Sequence, residues 1–245
     1  MTISLRTLDL PPPFRLVALR EAGDAFAHAC AHAAEFGAGT LVFIGRFDLA
    51  EFAVVLEPEE PLASARRSFY AGMTALAGAL AALAPPKTPI TIEWPDRLKV
   101  GCGHVGGGRL GWPARADEQA RPDWLVFGAI IHLVSMRSSG ASLPRLSSLE
   151  DEGFSEVGAE RLVEGFARRL MAAIDRWQAG EFGATARDYL AHLRSGSGAP
   201  RWIDARGNLW SEAPSEVATS SDLRVALSAP SWLDRDSVHS CGYRP

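Results

Sequence analysis

Between residues 92 and 112 the chain reads IEWPDRLKVGCGHVGGGRLGW, and most of its polar side chains are of types that handle acids. A Trp94-Pro95-Asp96 corner leads to Arg97, Lys99 and His104, then to Gly106-Gly107-Gly108 and Arg109. Glycines let a backbone approach a ligand closely. A guanidinium after them suits a carboxylate or phosphate held by two hydrogen bonds, unless Arg109 is a surface residue at a strand end. Lys99 lies two residues from Arg97, so on a strand both project to one face; that face either attracts an acidic ligand or is simply solvated. His104 is able to accept a proton near pH 7, which makes it, with Lys99, the candidate catalytic pair; its other reading is a hydrogen-bonded core histidine. Asp96 and Arg97 either contact a ligand, pair with one another, or cap the turn after Pro95.

The elements that must position these groups follow from periodicity. Residues 89–93 alternate like a strand, and 97–100 and 105–110 read as hairpin arms turning at Gly101-Cys102-Gly103. Upstream, Pro11-Pro12-Pro13 precedes a strand over 14–19 and a helix over 24–35 with Phe26, Cys30 and Ala33 on one face. His28 and His32 stand four apart on that helix without a third ligand, so a solvated face is expected rather than a metal site. Residues 39–57 predict two adjacent strands joined by a short turn. Residues 61–83 predict one helix between Pro61 and Pro85-Pro86, with Phe69, Met73, Leu76, Leu80 and Leu83 as its core stripe. An apolar strand over 124–133 follows a charged loop at 117–122. Helices are predicted over 159–178, where Leu162, Phe166, Leu170, Ile174 and Trp177 form the apolar stripe, and over 184–193. Ser195 to Pro200 has linker composition, which divides the chain into domains 1–195 and 196–245. The second reads as short strands and turns, and it is expected to dock without lining the deepest pocket.

At 245 residues the chain can hold one large domain, or one of about 190 residues with a small partner, without covalent staples. A net charge of -4 with both signs scattered gives no electrostatic footprint for nucleic acid. The opening MTISLRTLDLPPPF lacks a charged region followed by an apolar run, and 71–84 is too short to span a bilayer, so a cytoplasmic protein without a membrane partner is expected. Cys30, Cys102 and Cys241 fit neither a disulfide framework nor a zinc site. Cys30 is expected in the core and Cys241 near an exposed terminus. Cys102 is a small residue tolerated at a turn, or a thiol activated by His104 or Lys99.

The order of these features resembles that of the biotin and lipoate protein ligases and their octanoyltransferase relatives. The ligases carry a Lys-Trp-Pro-Asn-Asp corner, then Lys-x-Ala/Gly-Gly, whose lysine contacts the acyl carboxylate or adenylate. Here Trp94 and Pro95 match, Asp96 and Arg97 stand where the family has Asn and Asp, and His104 falls on the lysine with Gly106-Gly107 on the small pair. Residues 15–32 resemble the family's first strand and helix, and Gly39-Thr40-Leu41-Val42-Phe43 the strand entering its nucleotide loop. WLVFGAIIHLV at 124–134 is similar to its Gly-Ile-Gly-Ile-Asn strand, with Gly128 retained and His132 replacing Asn. Residues 148–153 resemble the Ser-Leu-Glu-Glu turn, and IDARGNLW at 203–210 the opening of the small C-terminal domain.

The resemblance implies an α+β fold, with a mixed, largely antiparallel sheet, helices on one side of it, and a small β-rich C-terminal module. It implies a carboxylate pocket lined by Arg46, Trp94, Asp96, Arg97, Gly106, Gly107, Gly108, Arg109, Gly128 and His132. The bound group would be of the biotin, lipoyl or octanoyl class, and an acyl-carrier or acceptor protein the partner. The chain departs from the family where a Gly-Arg-Gly-Arg-x-Gly loop should close over the adenylate, because residues 43–48 run almost directly into 52–56. Stabilising an adenylate needs several donors and cations aimed at the phosphate. Only Gly45-Arg46 remains, so adenylation with ATP is the part of the resemblance with least support, and the cofactor stays open. The resemblance thus implies either attachment or transfer of an acyl group to a protein lysine, or a degenerate binding or docking module that keeps the pocket without adenylation.

Overall fold

In the computed structural model, residues 8–20, 23–135, 146–155, 157–194, 199–212 and 218–233 are described. Strand β1 (Arg15–Leu19) runs parallel to β2 (Thr40–Gly45). Every other pairing is antiparallel and joins β3 (Leu49–Leu56), β7 (Leu125–His132), β6 (Gly103–Gly111), β5 (Arg97–Val100) and β4 (Ile90–Glu93) into one seven-stranded sheet of order β1-β2-β3-β7-β6-β5-β4. The mixed, largely antiparallel sheet of the sequence reading is therefore present.

Helices cover both faces of this sheet, where the sequence reading has them on one. The reason lies in β3, whose sequence LAEFAVVL is apolar in both alternating phases except at Glu51. Ala53 and Val55 join Val42, Ile44 and Val126 under α1 (Ala25–Phe36), which contributes Ala25, Ala29 and Ala33. Phe52 and Val54 face the other way and join the larger core with α3 (Ser68–Leu83) and α4 (Ala159–Gln178). There Phe69, Met73, Leu76 and Leu80 pack with Leu162, Phe166, Leu170 and Phe127, each fully buried side chain contributing about 1.5 to 3 kcal/mol.

The helix expected over 61–83 is broken. Helix α2 (Leu62–Ala65) ends at Arg66, and α3 starts anew at Ser68. The Leu62 and Ala63 N–H groups donate to the Ala120 and Glu118 carbonyls, and the Arg66 guanidinium grips the Glu118 carboxylate at 2.9 and 2.5 Å. These contacts with the 117–122 loop redirect the chain between the two helices.

Beyond α5 (Phe182–His192), β8 (Arg201–Ile203), β9 (Leu209–Ser211) and β10 (Thr219–Ser221) form a small antiparallel sheet, as the short-strand reading expects. The short helix α6 (Leu223–Leu227) was not anticipated; Asp222 caps it, and Leu223 and Leu227 are buried in the main core. Among the described residues no helix is long and apolar enough to cross a membrane.

Candidate functional site

The Trp94-Pro95-Asp96 corner joins β4 to β5 through a cis peptide bond and is held from beneath by two buried tyrosines. Tyr189 donates its hydroxyl to the Pro95 carbonyl at 2.7 Å, and Tyr70 donates to the Gly207 carbonyl at 2.5 Å while accepting the Trp94 indole N–H at 3.2 Å. Burial pushes both phenols well above their usual pKa, so they stay neutral donors. The Trp94 N–H is thus spent inside the fold. Its ring lines an open cleft of about 460 Å³ with Ile92, Glu93, Leu193, Arg194, Arg201 and Leu209.

The three glycines of β6 each have a packing reason. Gly106 sits at φ +138, and a Cβ there would run into the Ile130 carbonyl. On Gly108 a Cβ would meet Met73 Sδ at 2.5 Å and the Phe127 ring at 3.0 Å on the α3 side. A Cβ on Gly107 would run into the Asp96 carbonyl and then meet Trp232 of the C-terminal segment at 2.5 Å. Gly128, one strand over, makes room for Phe26 of α1.

Register places the candidate charges on the face that α1 partly covers. Glu93 is opposite Arg97, Arg97 opposite Gly107, Gly107 opposite Ile130 and Ile130 opposite Glu51, while Arg109 pairs with Gly128 and Lys99 with His104. Paired residues of antiparallel strands share a face. Within it the groups separate into small sets, most of them already bonded.

Arg109 has a carboxylate partner, but it belongs to the chain. Its Nη2 lies 2.9 Å from Asp24 Oδ1, and its guanidinium stacks 4.1 Å from the centre of the Phe26 ring. The sequence reading of Arg109 as a cation facing the glycine-lined ligand site is corrected in this respect: α1 supplies the acid. Beside this pair, Glu51 is almost wholly buried and accepts the Ala25 N–H at 3.0 Å. Desolvation raises its pKa, against the lowering effect of that hydrogen bond. Cys30, also there, is pushed up to about 12 by burial and is inert as a nucleophile.

Arg46 is likewise engaged. In the tight turn between β2 and β3 its guanidinium binds Asp48 through two hydrogen bonds of 2.9 and 2.7 Å, which hold the Asp48 carboxyl below its usual range. His132 lies near this pair; burial lowers its pKa, Asp48 opposes that, and Arg46 adds to it. The short turn expected over 39–57 is present.

Lys99, His104 and Arg97 gather around Glu93, which the sequence reading did not single out. Its carboxylate lies 2.9 Å from Arg194 and 3.6 Å from both Arg97 and His104 Nε2. Burial alone would raise the Glu93 pKa, but the Arg194 hydrogen bond and the charges of His104, Arg97 and Lys99 bring it below its usual value. The Lys99 side chain makes no hydrogen bond or ion pair among the described residues, although its charge acts on Glu93.

Asp96 is buried and shares the partner Ser231 with Arg97. Its two carboxylate oxygens accept the Ser231 N–H at 2.8 Å and the Ser231 hydroxyl at 2.5 Å, and Arg97 donates to the Ser231 carbonyl. From the C-terminal segment, which the sequence reading docks on the main domain, Ser231 and Trp232 thus sit on this strand. Neither residue carries a motif, and their partners are more than a hundred positions away. Of the remaining chemistry-bearing residues, His28 and His32 stack at 4.4 Å beside Phe36, and Cys102 is exposed at the hairpin turn. Cys241 lies outside the described residues. Among the described residues no group of three or more His, Cys, Asp or Glu is arranged to hold a metal.

The fold is shared with solved ligase-type structures. A biotin protein ligase-like protein of unknown function from Silicibacter sp. TM1040 is 28% identical, superposes with a TM-score of 0.77, and matches over 90% of this chain and 99% of its own. The biotin protein ligase of Aquifex aeolicus, in its apo form, is 13% identical with a TM-score of 0.66, covering 84% of this chain and 95% of that one. The same enzyme in complex with biotin and ATP gives 12% and 0.63 over 84% and 95%. No curated protein matches the chain in sequence. Residues 10–191 match the model of the biotin/lipoate A/B protein ligase family, and the chain belongs to that family.

Proposed function

We propose that this protein binds a carboxylic acid of the biotin, lipoate or octanoate class on the α1 face of the sheet and does not adenylate it. The observation that carries the reading is the turn between β2 and β3, where three residues, Arg46 to Asp48, join the strands and the only arginine is bound by Asp48. Charge developing on an α-phosphate needs donors that are not already satisfied. This turn offers none of the arginine's charge freely. The acid's carboxylate is assigned to Lys99 and His104, which face the same side beside Glu93.

The reading favours a binding or docking member of the family over one that attaches or transfers acyl groups to a protein lysine. Biotin, lipoate and octanoate are the acids to test by calorimetry, each with and without ATP and magnesium, beside an assay of pyrophosphate release. Binding of at least one acid with an affinity indifferent to ATP, and no pyrophosphate, is the expected outcome. Acid-dependent pyrophosphate release would restore adenylation.

A further inference from the structure

We propose that Asp96, Arg97 and the Gly107-Gly108 backbone form a peptide seat, and that the chain's own Ser231-Trp232 segment occupies it as a detachable strap. The seat and its occupant match group for group. Ser231 presents an N–H and an O–H to the two oxygens of Asp96, at 2.8 and 2.5 Å, and its carbonyl to Arg97. Gly108 lies one residue past the Arg97–Gly107 pair, where β5 has ended; its N–H reaches the Asp96 carbonyl at 3.0 Å, and its own carbonyl accepts the Trp232 indole N–H at 2.9 Å. The indole lies where a side chain on Gly107 would stand. The Asp96 carbonyl lies closer still to that position, so the glycine serves the approach of the corner to β6 as well as the strap.

The same contacts make the strap separable from the fold. Helix α6 is anchored by Leu223 and Leu227 in the core, but Ser228, Ala229 and Ser231 are exposed and Trp232 is only half-buried. Release therefore uncovers the Trp232 indole and little else that is apolar, and water can replace each of the polar contacts. Asp96, buried while the strap is seated, then presents an open acceptor beside Arg97. The strap also covers the glycine strand on the face where the acyl acid is placed, so the two exclude one another; this last step rests on the reading given under Proposed function.

Hydrogen exchange followed by mass spectrometry on the full chain tests the strap without any ligand. Peptides covering 229–233 should exchange at least ten-fold more slowly than an unstructured peptide and at least ten-fold faster than β7. Exchange as slow as β7 would make the segment a fixed part of the fold, and unprotected exchange would empty the seat; either overturns the proposal. Trp232→Ala, which removes the indole and its bond to the Gly108 carbonyl, should bring 229–233 towards the unprotected rate. Titration of wild type, Trp232→Ala and Ser231→Ala with biotin, lipoate and octanoate tests the exclusion: at least one acid should bind the variants about ten-fold more tightly. Weaker or equal binding to the variants overturns the exclusion. If no acid binds any of the proteins, the acyl reading and the exclusion fail together, and the exchange rates alone decide the strap.

Discussion

Arg109 and Asp24 meet across 85 residues of sequence through one oxygen that does two things. Asp24 Oδ1 accepts the Arg109 Nη2 at 2.9 Å and the Ala27 N–H at 2.8 Å, so the N-cap of α1 is also the tie between that helix and the glycine strand. The Arg109 guanidinium then covers the Phe26 ring on the same helix.

From this geometry Arg109→Ala should destabilise the fold by about 1 to 2 kcal/mol, the sum of a part-exposed ion pair and one cation–π contact. Asp24→Ala should cost about as much through the lost cap, and Asp24→Asn less, because the amide oxygen still accepts the Ala27 N–H. Urea unfolding of the single and double variants gives the coupling. Unchanged stability of Arg109→Ala, with weakened acid binding, would return that arginine to the ligand.

Glu51 stands close by, buried with a carboxyl whose pKa is raised chiefly by desolvation. A folded pKa above the unfolded one means that the native state binds the proton more tightly; that contribution is present at low pH and is lost as pH rises through the folded value. Glu51→Gln keeps the acceptor for the Ala25 N–H and discards the charge. Its stability relative to wild type should therefore rise between pH 4 and pH 8. Chemical denaturation at several pH values reads the trend, and a flat difference would mean that the burial of this charge has no cost.

Gly108 tests how tightly the strand is packed. A methyl group there meets Met73 Sδ and the Phe127 ring well inside contact distance, and Phe127 stacks on Phe166 with ring centres 5.6 Å apart, leaving little room to yield. Gly108→Ala should destabilise by about 1 to 3 kcal/mol, as overpacking of a dense core does. Thermal unfolding measures it. A loss of acid binding at unchanged melting temperature would instead make Gly108 a ligand contact.

What was legible in the sequence is what repeats locally. Helix α4 has the bounds that its four-residue apolar stripe predicts, and the β5–β6 hairpin turns at Gly101-Cys102-Gly103. The break between α2 and α3 was not legible, because it depends on Arg66 finding Glu118, fifty-two residues on. The site suffered the same way. Arg46, Asp96 and Arg109 are residue types that bind acids or cap turns, and nothing in their spacing says whether the partner is a ligand, Asp48, Ser231 or Asp24. Glu93 escaped notice since a lone glutamate at a strand end is ordinary until four basic groups converge on it.

That convergence sets the acid limit of the fold. Burial raises the Glu93 carboxyl, but the Arg194 hydrogen bond and the neighbouring His104, Arg97 and Lys99 hold it below an ordinary glutamate. Such a depressed carboxyl contributes stability that is fully present above the unfolded value of about 4.3 and is lost as pH falls through the folded value. Glu93→Gln should thus cost about 1 kcal/mol at pH 7, discounted for its partial exposure, and the gap to wild type should close towards pH 3. This trend is opposite in sense to that of Glu51→Gln, although both variants remove one carboxylate from the same face. Parallel denaturation series on the two variants separate a cluster effect from a change in net charge, which would move both in the same direction. A gap for Glu93→Gln that persists at pH 3 would show that its side chain acts through packing and not through charge.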